Sequence, residues 1–389
     1  MTLNLDRGTW KRVKFGDVIE SVTDRVDDPS KAGVDRYVGL EHLDPGSMTV
    51  TRWGTPDQVE AQKLRFQPGD VIFGRRRAYQ KKVARADFEG ICSAHALVLR
   101  AKTAMIDPDF LPVFLSSAVF LDRAIKISVG SLSPTVNWKT LAIQEFDLPP
   151  LDEQKRIAAL LWALAAHKGD LRTALSSLDV AISAFCRAAV EWSLAAGEIV
   201  LMTEAAEISM GRQKAPKYMT GERSHPFISV ANVGHLELDL TKLQEMDFSP
   251  TEVAKFSLRP GDVVVTEGDL VSPLNVGRPA LCGDAAQGLC FQNTLIRFRP
   301  KAGVDSRYAL AVLEGMRLAG TFAAAASTTT VTHLGLRRFS SLTFPVVSEV
   351  EQRSVAEELD ALFAARTNLR TEVQLLCDLE AAFASEELT

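Results

Sequence analysis

The chain carries one long amphipathic helix twice. Stepping from Ile157 by alternating fours and threes lands on Leu161, Leu164, Lys168, Leu171, Leu175, Leu178, Ile182 and Phe185. Adding 198 to each number gives Val355, Leu359, Leu362, Arg366, Leu369, Val373, Leu376, Glu380 and Phe383. Seven of these nine pairs are apolar in both copies, and a basic residue, Lys168 or Arg366, interrupts both stripes at the same place. Across residues 153–185 and 351–383, 13 of 33 aligned residues are identical, which marks a duplication rather than two unrelated helices. A four-three spacing keeps one narrow apolar stripe facing a partner helix. The two helices are therefore expected to pair with each other, antiparallel, through Leu161, Leu164, Leu171, Leu178, Leu359, Leu362, Leu369 and Leu376.

The repeat extends beyond the helices. Gln67-Pro68-Gly69-Asp70-Val71-Ile72 returns as Arg259-Pro260-Gly261-Asp262-Val263-Val264, each a turn running into a β-branched strand. Residues 93–100 return at 291–298 as an alternating strand, residues 37–40 at 228–231, and residues 135–138 at 330–333. Helical patches are expected at 108–126 and 306–326. Each half then reaches a proline, Leu148-Pro149-Pro150 or Phe344-Pro345, before its long helix. Asp152 is placed to cap the first helix, and Ser348 with Glu351 forms a capping box for the second. Gln154 and Gln352 read as helix-start residues at a junction. The fold class is α+β: similar strand-rich modules at 1–150 and 197–345, followed by helical rods at 151–196 and 346–389 that hold the modules apart.

The net charge of −5 is unevenly spread. Residues 1–150 hold 21 Lys/Arg against 19 Asp/Glu, and residues 197–345 hold 15 against 15. The two rods together hold 8 against 15, so the acidic excess lies in them and the modules are free to present basic faces. No run of about 18 uncharged apolar residues suggests a membrane span, and the N-terminus lacks a signal pattern. Five cysteines without Cys-x-x-Cys spacing argue for a reducing, cytoplasmic setting with neither a disulfide framework nor a zinc site.

The sharpest local feature is a basic segment comprising Arg75, Arg76, Arg77, Tyr79, Gln80, Lys81, Lys82 and Arg85. Lys and Arg neutralise phosphate, Arg pairs with guanine and Gln pairs with adenine, so the segment suits DNA contact. A charge-guarded edge strand is the simpler alternative. The matching segment of the second module, 266–278, has exchanged the arginines for a polar, glycine-containing loop. There Thr266, Ser272, Asn275 and Arg278, with the neighbouring Asn232, Gln292 and Asn293, are the candidate contacts. Catalytic signatures are missing: there is no phosphate-binding G-x-x-x-x-G-K-[ST] loop, no G-x-G-x-x-G after a strand, and no Asn/Asp-Pro-Pro-aromatic motif of an amino-methyltransferase.

With two modules each ending in a proline-marked strand followed by Glu153-Gln154 or Glu351-Gln352, and two matching long helices, the chain resembles the specificity subunit of a type I restriction-modification system. Residues 69–83 are also similar to one kind of recognition-domain segment, and residues 230–233 and 259–266 to another. The resemblance implies a subunit without catalytic activity or cofactor of its own. Such a subunit binds two-part double-stranded DNA targets and carries two adenine methyltransferase (M) subunits, which use S-adenosylmethionine; a restriction-translocase (R) subunit can join. The acidic sides of the rods, including Glu357, Glu358 and Asp360, are the expected docking faces for the methyltransferase. A stand-alone DNA-modifying enzyme and a protein-binding coiled-coil scaffold stay open as alternatives at this point.

Overall fold

A computed structural model describes residues 7–102, 104–269, 276–328 and 332–386. The chain divides into two compact units, residues up to 173 with those from 371 on, and residues 174–370. These units do not follow the boundaries read from the sequence, because each takes part of both long helices. The helices themselves run Leu151–Ala196 and Glu349–Glu386. The early part of the first belongs with the late part of the second, and the late part of the first with the early part of the second. That order is the antiparallel pairing the repeated stripe predicts.

The first unit is built on a four-stranded antiparallel sheet. Its strands lie in the order Ile19–Val22, Leu97–Ala101, Val71–Phe73, Val83–Arg85. A second sheet places Arg25–Val26, Lys63–Phe66, Gly90–Ser93 and Tyr37–Val38 side by side. The ends of the module meet where Lys11–Lys14 pairs with Glu145–Leu148. The second unit repeats the first sheet with Ala206–Met210, Leu295–Pro300, Val263–Thr266 and Pro279–Leu281. It repeats the closure with Glu198–Leu201 against Thr343–Val346. The copies differ in the other sheet, where Ser224–Ile228 lies between Gln244–Asp247 and Cys290–Phe291 and a helix, Pro250–Phe256, follows.

The repeated Pro-Gly-Asp turn owes its persistence to charge as well as to backbone. Gly69 and Gly261 take φ of 92° and 89°, a region glycine enters without a Cβ penalty. The next residue, Asp70 or Asp262, is buried. Asp70 accepts from the Gln67 N–H at 2.8 Å and from Arg100 at 2.7 and 2.9 Å. Asp262 does the same with the Arg259 N–H at 2.9 Å and Arg299 at 2.7 and 2.8 Å. A buried carboxylate satisfied by a two-pronged guanidinium and a backbone donor fixes the turn against the neighbouring strand.

Three local expectations need correction. Residues 93–100 are not one strand. Ser93 ends one strand, Leu97 begins the next, and the turn between them carries the chain from one sheet to the other. The helical patches are each two helices. Phe110–Ser116 and Ala118–Lys126 break at Ser117, whose side chain caps the second by accepting from Phe120 N–H at 3.3 Å. Ser306–Leu318 and Thr321–Ala325 break at Gly320, at φ 81°. Asp152 does not cap the first long helix. It sits inside the first turn, where the Gln154 N–H already bonds to the Pro150 carbonyl, so its charge acts only on the helix dipole. The Ser348–Glu351 box does form: Ser348 N–H and Oγ donate to the Glu351 carboxylate at 3.0 and 2.7 Å. These bonds hold the Glu351 carboxyl below its ordinary pKa.

The stripe residues lie as the four-three spacing requires. Leu161, Leu171 and Leu359 are buried, and Leu164, Leu178, Leu362, Leu369 and Leu376 are half-buried. The apolar face is nevertheless wider than a coiled-coil seam. Ala158, Ala356 and Phe363 are buried as well, because the helices also close the module cores. Ile157 and Leu161 join Phe110, Phe146 and Leu148 in the first unit. Ile182, Val355 and Leu359 join Tyr308 and Phe344 in the second. One stretch of the first long helix is long and apolar enough to cross a membrane by composition alone, a property its alanines and leucines share with core-facing helices.

The basic interruption is a paired site. Lys168 bonds to Glu380, and beside it His167 meets Glu372 at 3.0 Å. Arg366, with no exposed surface, lies against Glu237 at 2.9 Å and Asp179 at 3.4 Å, with its guanidinium 4.6 Å from the Phe363 ring centre.

Each long helix is fastened to its module by the glutamine of its first turn. Buried Gln154 accepts from Asp107 N–H at 2.8 Å and donates to the carbonyls of Met105 and Pro149 at 3.1 and 2.9 Å. Buried Gln352 accepts from Asp305 N–H at 2.7 Å and donates to Gly303 and Val347 at 2.9 and 2.8 Å. Every partner is shifted by the same 198 residues. One amide side chain thus satisfies three backbone groups at a helix start.

Candidate nucleic-acid interface

In the first unit the basic segment is the connection between strands Val71–Phe73 and Val83–Arg85. It turns through a short 3-10 helix, Ala78–Gln80, bracketed by Arg77 and Lys81 at φ 58° and 54°. Left-handed backbone costs a non-glycine residue about 1–2 kcal/mol. Here it is held by Ala78, which is buried in the core. The consequence is that Arg77, Tyr79 and Lys81 project outward.

The remaining cations divide by their partners. Arg75 is half-buried. Arg76 reaches Ser133 Oγ at 3.2 Å and His95 Nε2 at 3.4 Å. Partial burial, then Arg76 and Arg75, hold the His95 imidazole below its usual pKa. Gln80 is half-buried, and Lys82 donates to the Leu40 carbonyl at 2.5 Å. Arg85 is a structural joint. It pairs with Asp87 at 3.0 Å and Asp109 at 2.6 Å, and it lies 4.2 Å from the Trp162 ring centre. Trp162 in turn donates to the Asp109 carbonyl at 2.9 Å, so Arg85 fastens the module to the long helix. The second unit builds the same joint from different chemistry, an Arg307–Asp360 pair at 2.6 Å.

The structure adds two pieces that motif reading passed over. The turn carrying His95 bonds to the basic segment through Arg76 N–H and the His95 carbonyl at 3.3 Å. The loop of residues 129–135 docks on its other side, where Arg77 N–H donates to the Pro134 carbonyl at 2.7 Å and Val136 N–H to the Arg75 carbonyl at 2.9 Å. The signal for this loop was the repeat of residues 135–138, which marked a shared frame without saying what it touched.

The candidate contacts of the second unit are mostly framework. Thr266 is fully buried, and its Oγ accepts from Arg278 N–H at 2.9 Å. Asn232 is buried and spends its amide on the turn. It accepts from Ser229 N–H at 3.0 Å and donates to the carbonyls of Asp239 and Lys242 at 2.9 and 3.0 Å. Arg278 donates to the Val233 carbonyl at 3.3 Å. Gln292 and Asn293 are half-buried at the turn entering Leu295–Pro300. Ser272 and Asn275 lie outside the described residues. Glu267 stands where the first unit has Arg75: its carbonyl accepts from Leu334 N–H at 2.8 Å, as that of Arg75 does from Val136. Burial pushes the Glu267 carboxyl upward, opposed by His333 at 3.8 Å. The frame of the basic segment is therefore rebuilt, with its charge reversed at the first position.

The acidic excess of the long helices also resolves further. Residues 151–196 hold 5 Lys/Arg against 5 Asp/Glu, and residues 346–389 hold 3 against 10, so the second helix carries all of it. Of its acidic residues, Asp360 is paired with Arg307, while Glu357 and Glu358 are exposed.

Residues 7–176 match the family described as type I restriction modification DNA specificity domain. The type I restriction enzyme EcoDI specificity subunit of Escherichia coli is 26% identical over 160 residues. That stretch is 41% of this chain and 35% of the relative's length. Among solved structures, a chain from work on complex assembly and conformational transition of the type I R-M system superposes with a TM-score of 0.62 at 21% identity, covering 97% of each chain. The S subunit of a type I restriction-modification system from M. genitalium gives a TM-score of 0.58 at 12% identity, covering 100% of this chain and 98% of that one.

Proposed function

From the match of residues 7–176 to the type I restriction modification DNA specificity domain family, we propose a non-catalytic subunit that recognises a two-part DNA sequence. Each module reads one half, and the subunit positions adenine methyltransferase subunits, which bring S-adenosylmethionine. A restriction-translocase subunit is a further expected partner. The observation that carries this reading is the basic turn. Arg77 and Lys81, on left-handed backbone, and Tyr79 between them are held outward by a buried alanine and by hydrogen bonds from two neighbouring loops. Strain of this kind persists where surrounding structure enforces it, and it gathers at binding sites. Exposed glutamates of the second long helix, Glu357 and Glu358, suit the methyltransferase better than they suit phosphate.

The division of cations supplies the test. Purified full chain should bind duplex DNA with an affinity that falls steeply with salt, and should transfer no methyl group when given S-adenosylmethionine alone. Arg77→Ala should weaken target binding by about 1–3 kcal/mol if it meets a base edge, without lowering the melting temperature. Arg85→Ala should do the reverse, lowering the melting temperature while leaving the salt dependence of DNA binding in place. DNA affinity indifferent to both salt and Arg77, or methyl transfer by the isolated chain, would contradict the proposal.

A further inference from the structure

The geometry points to a second, apolar reading element in the first module: Leu132, at the tip of the loop docked on the basic turn, reads thymine through its 5-methyl group. This rests on the DNA-recognition reading and adds to it a residue and the chemical group it meets. Residues 129–135 form a small two-stranded clip, closed by Val129 N–H to the Thr135 carbonyl at 3.1 Å and Thr135 N–H to the Val129 carbonyl at 3.0 Å. Thr135 Oγ donates to the Ser133 carbonyl at 3.1 Å inside the turn. The clip is anchored to the basic segment through Pro134, Val136 and Ser133, as described above. Its tip is therefore a fixed extension of the surface that carries Arg77 and Tyr79.

At that tip Leu132 is 90% exposed, and at the base of the clip Val129 is 68% exposed. Apolar side chains held out beside arginines by a hydrogen-bonded clip call for a partner that is anionic around a small apolar target. The major groove of DNA fits that description. It is about 12 Å wide, admits a two-stranded ribbon, and is walled by phosphates. The bases line it with hydrogen-bonding groups, and the thymine methyl is the apolar group that projects furthest from them there. A leucine tip can gain there only by meeting that methyl, whereas the flanking arginines meet phosphate or guanine. The second unit repeats the construction. Ser327–Thr328 pairs with Thr332–His333, which pairs with Gly268–Asp269 in the segment matching the basic turn.

The test uses the full chain and its own target duplex, obtained by mapping methylated adenines. Each thymine of the half-site read by the first module is replaced in turn by deoxyuridine, which lacks only the methyl. The native chain should lose about fourfold in affinity at one position, the value of one buried methyl-sized group. Leu132→Ala should bind the thymine and deoxyuridine duplexes equally, with unchanged melting and unchanged salt dependence, since so exposed a side chain contributes nothing to the fold. A target preference that persists with no response to deoxyuridine, or a Leu132→Ala chain that keeps the full difference, overturns this inference alone. Equal affinity of the native chain for target and unrelated duplex overturns the DNA-recognition reading, and this inference with it.

Discussion

Leu359→Asp is expected to abolish cooperative folding of the second unit. Leu359 is completely buried among Ile182, Val355, Phe363 and the core aromatics Tyr308 and Phe344. Removing a buried leucine side chain costs about 2–5 kcal/mol. Placing an unpaired carboxylate in the same space adds several more, or forces it to remain protonated. The sum is comparable to the whole stability of an ordinary domain, about 5–15 kcal/mol. Leu160→Asp supplies the contrast. Leu160 lies on the first long helix but is 41% exposed, so its substitution should cost only about 1 kcal/mol. Urea titrations followed by circular dichroism distinguish the two. A Leu359→Asp chain that unfolds like the native one would mean that the repeated stripe does not form this core.

The second large effect is expected at the glutamines. Gln352→Leu removes the partners of Asp305 N–H and of the Gly303 and Val347 carbonyls in one step. A buried polar group left unsatisfied costs about 1–3 kcal/mol, and some of these groups can recover water. A loss of about 2–4 kcal/mol is therefore expected, lowering the melting temperature by roughly 5–15 °C for a unit of this size. Gln154→Leu should act alike in the first unit, because its partners repeat at the same offset. Calorimetry of both variants checks this. A melting temperature moved by less than about 2 °C in both would show that the helix starts are held by apolar packing alone.

These two sites mark how far the sequence could be read. The helix repeat was legible because its spacing is a physical period, and the positions it selects are buried or half-buried wherever they are described. The Pro-Gly-Asp turns were legible because glycine is the residue that tolerates their backbone. The arginine that completes each turn lies 30 or 37 residues away and could not be paired with it without the sheet register. Arg85 shows the same gap within the site. In sequence it belongs to a run of cations, and only the fold shows Asp87, Asp109 and Trp162 around it. Asn232 and Thr266 had the polar chemistry of base readers, but burial commits them to backbone. Leu132 was invisible for the opposite reason, since an isolated leucine in a loop carries no pattern until its exposure and its anchored neighbours are known.

Under the proposed function, each module reads its own half of a DNA target. The experiment that tests it is genome-wide mapping of methylated adenines in cells carrying the complete complex, with residues 1–150 exchanged for the corresponding module of a related specificity subunit. One half of the methylated sequence is expected to change, and the other half, read by the second module, to be kept. Simultaneous change of both halves, or retention of both, would contradict it.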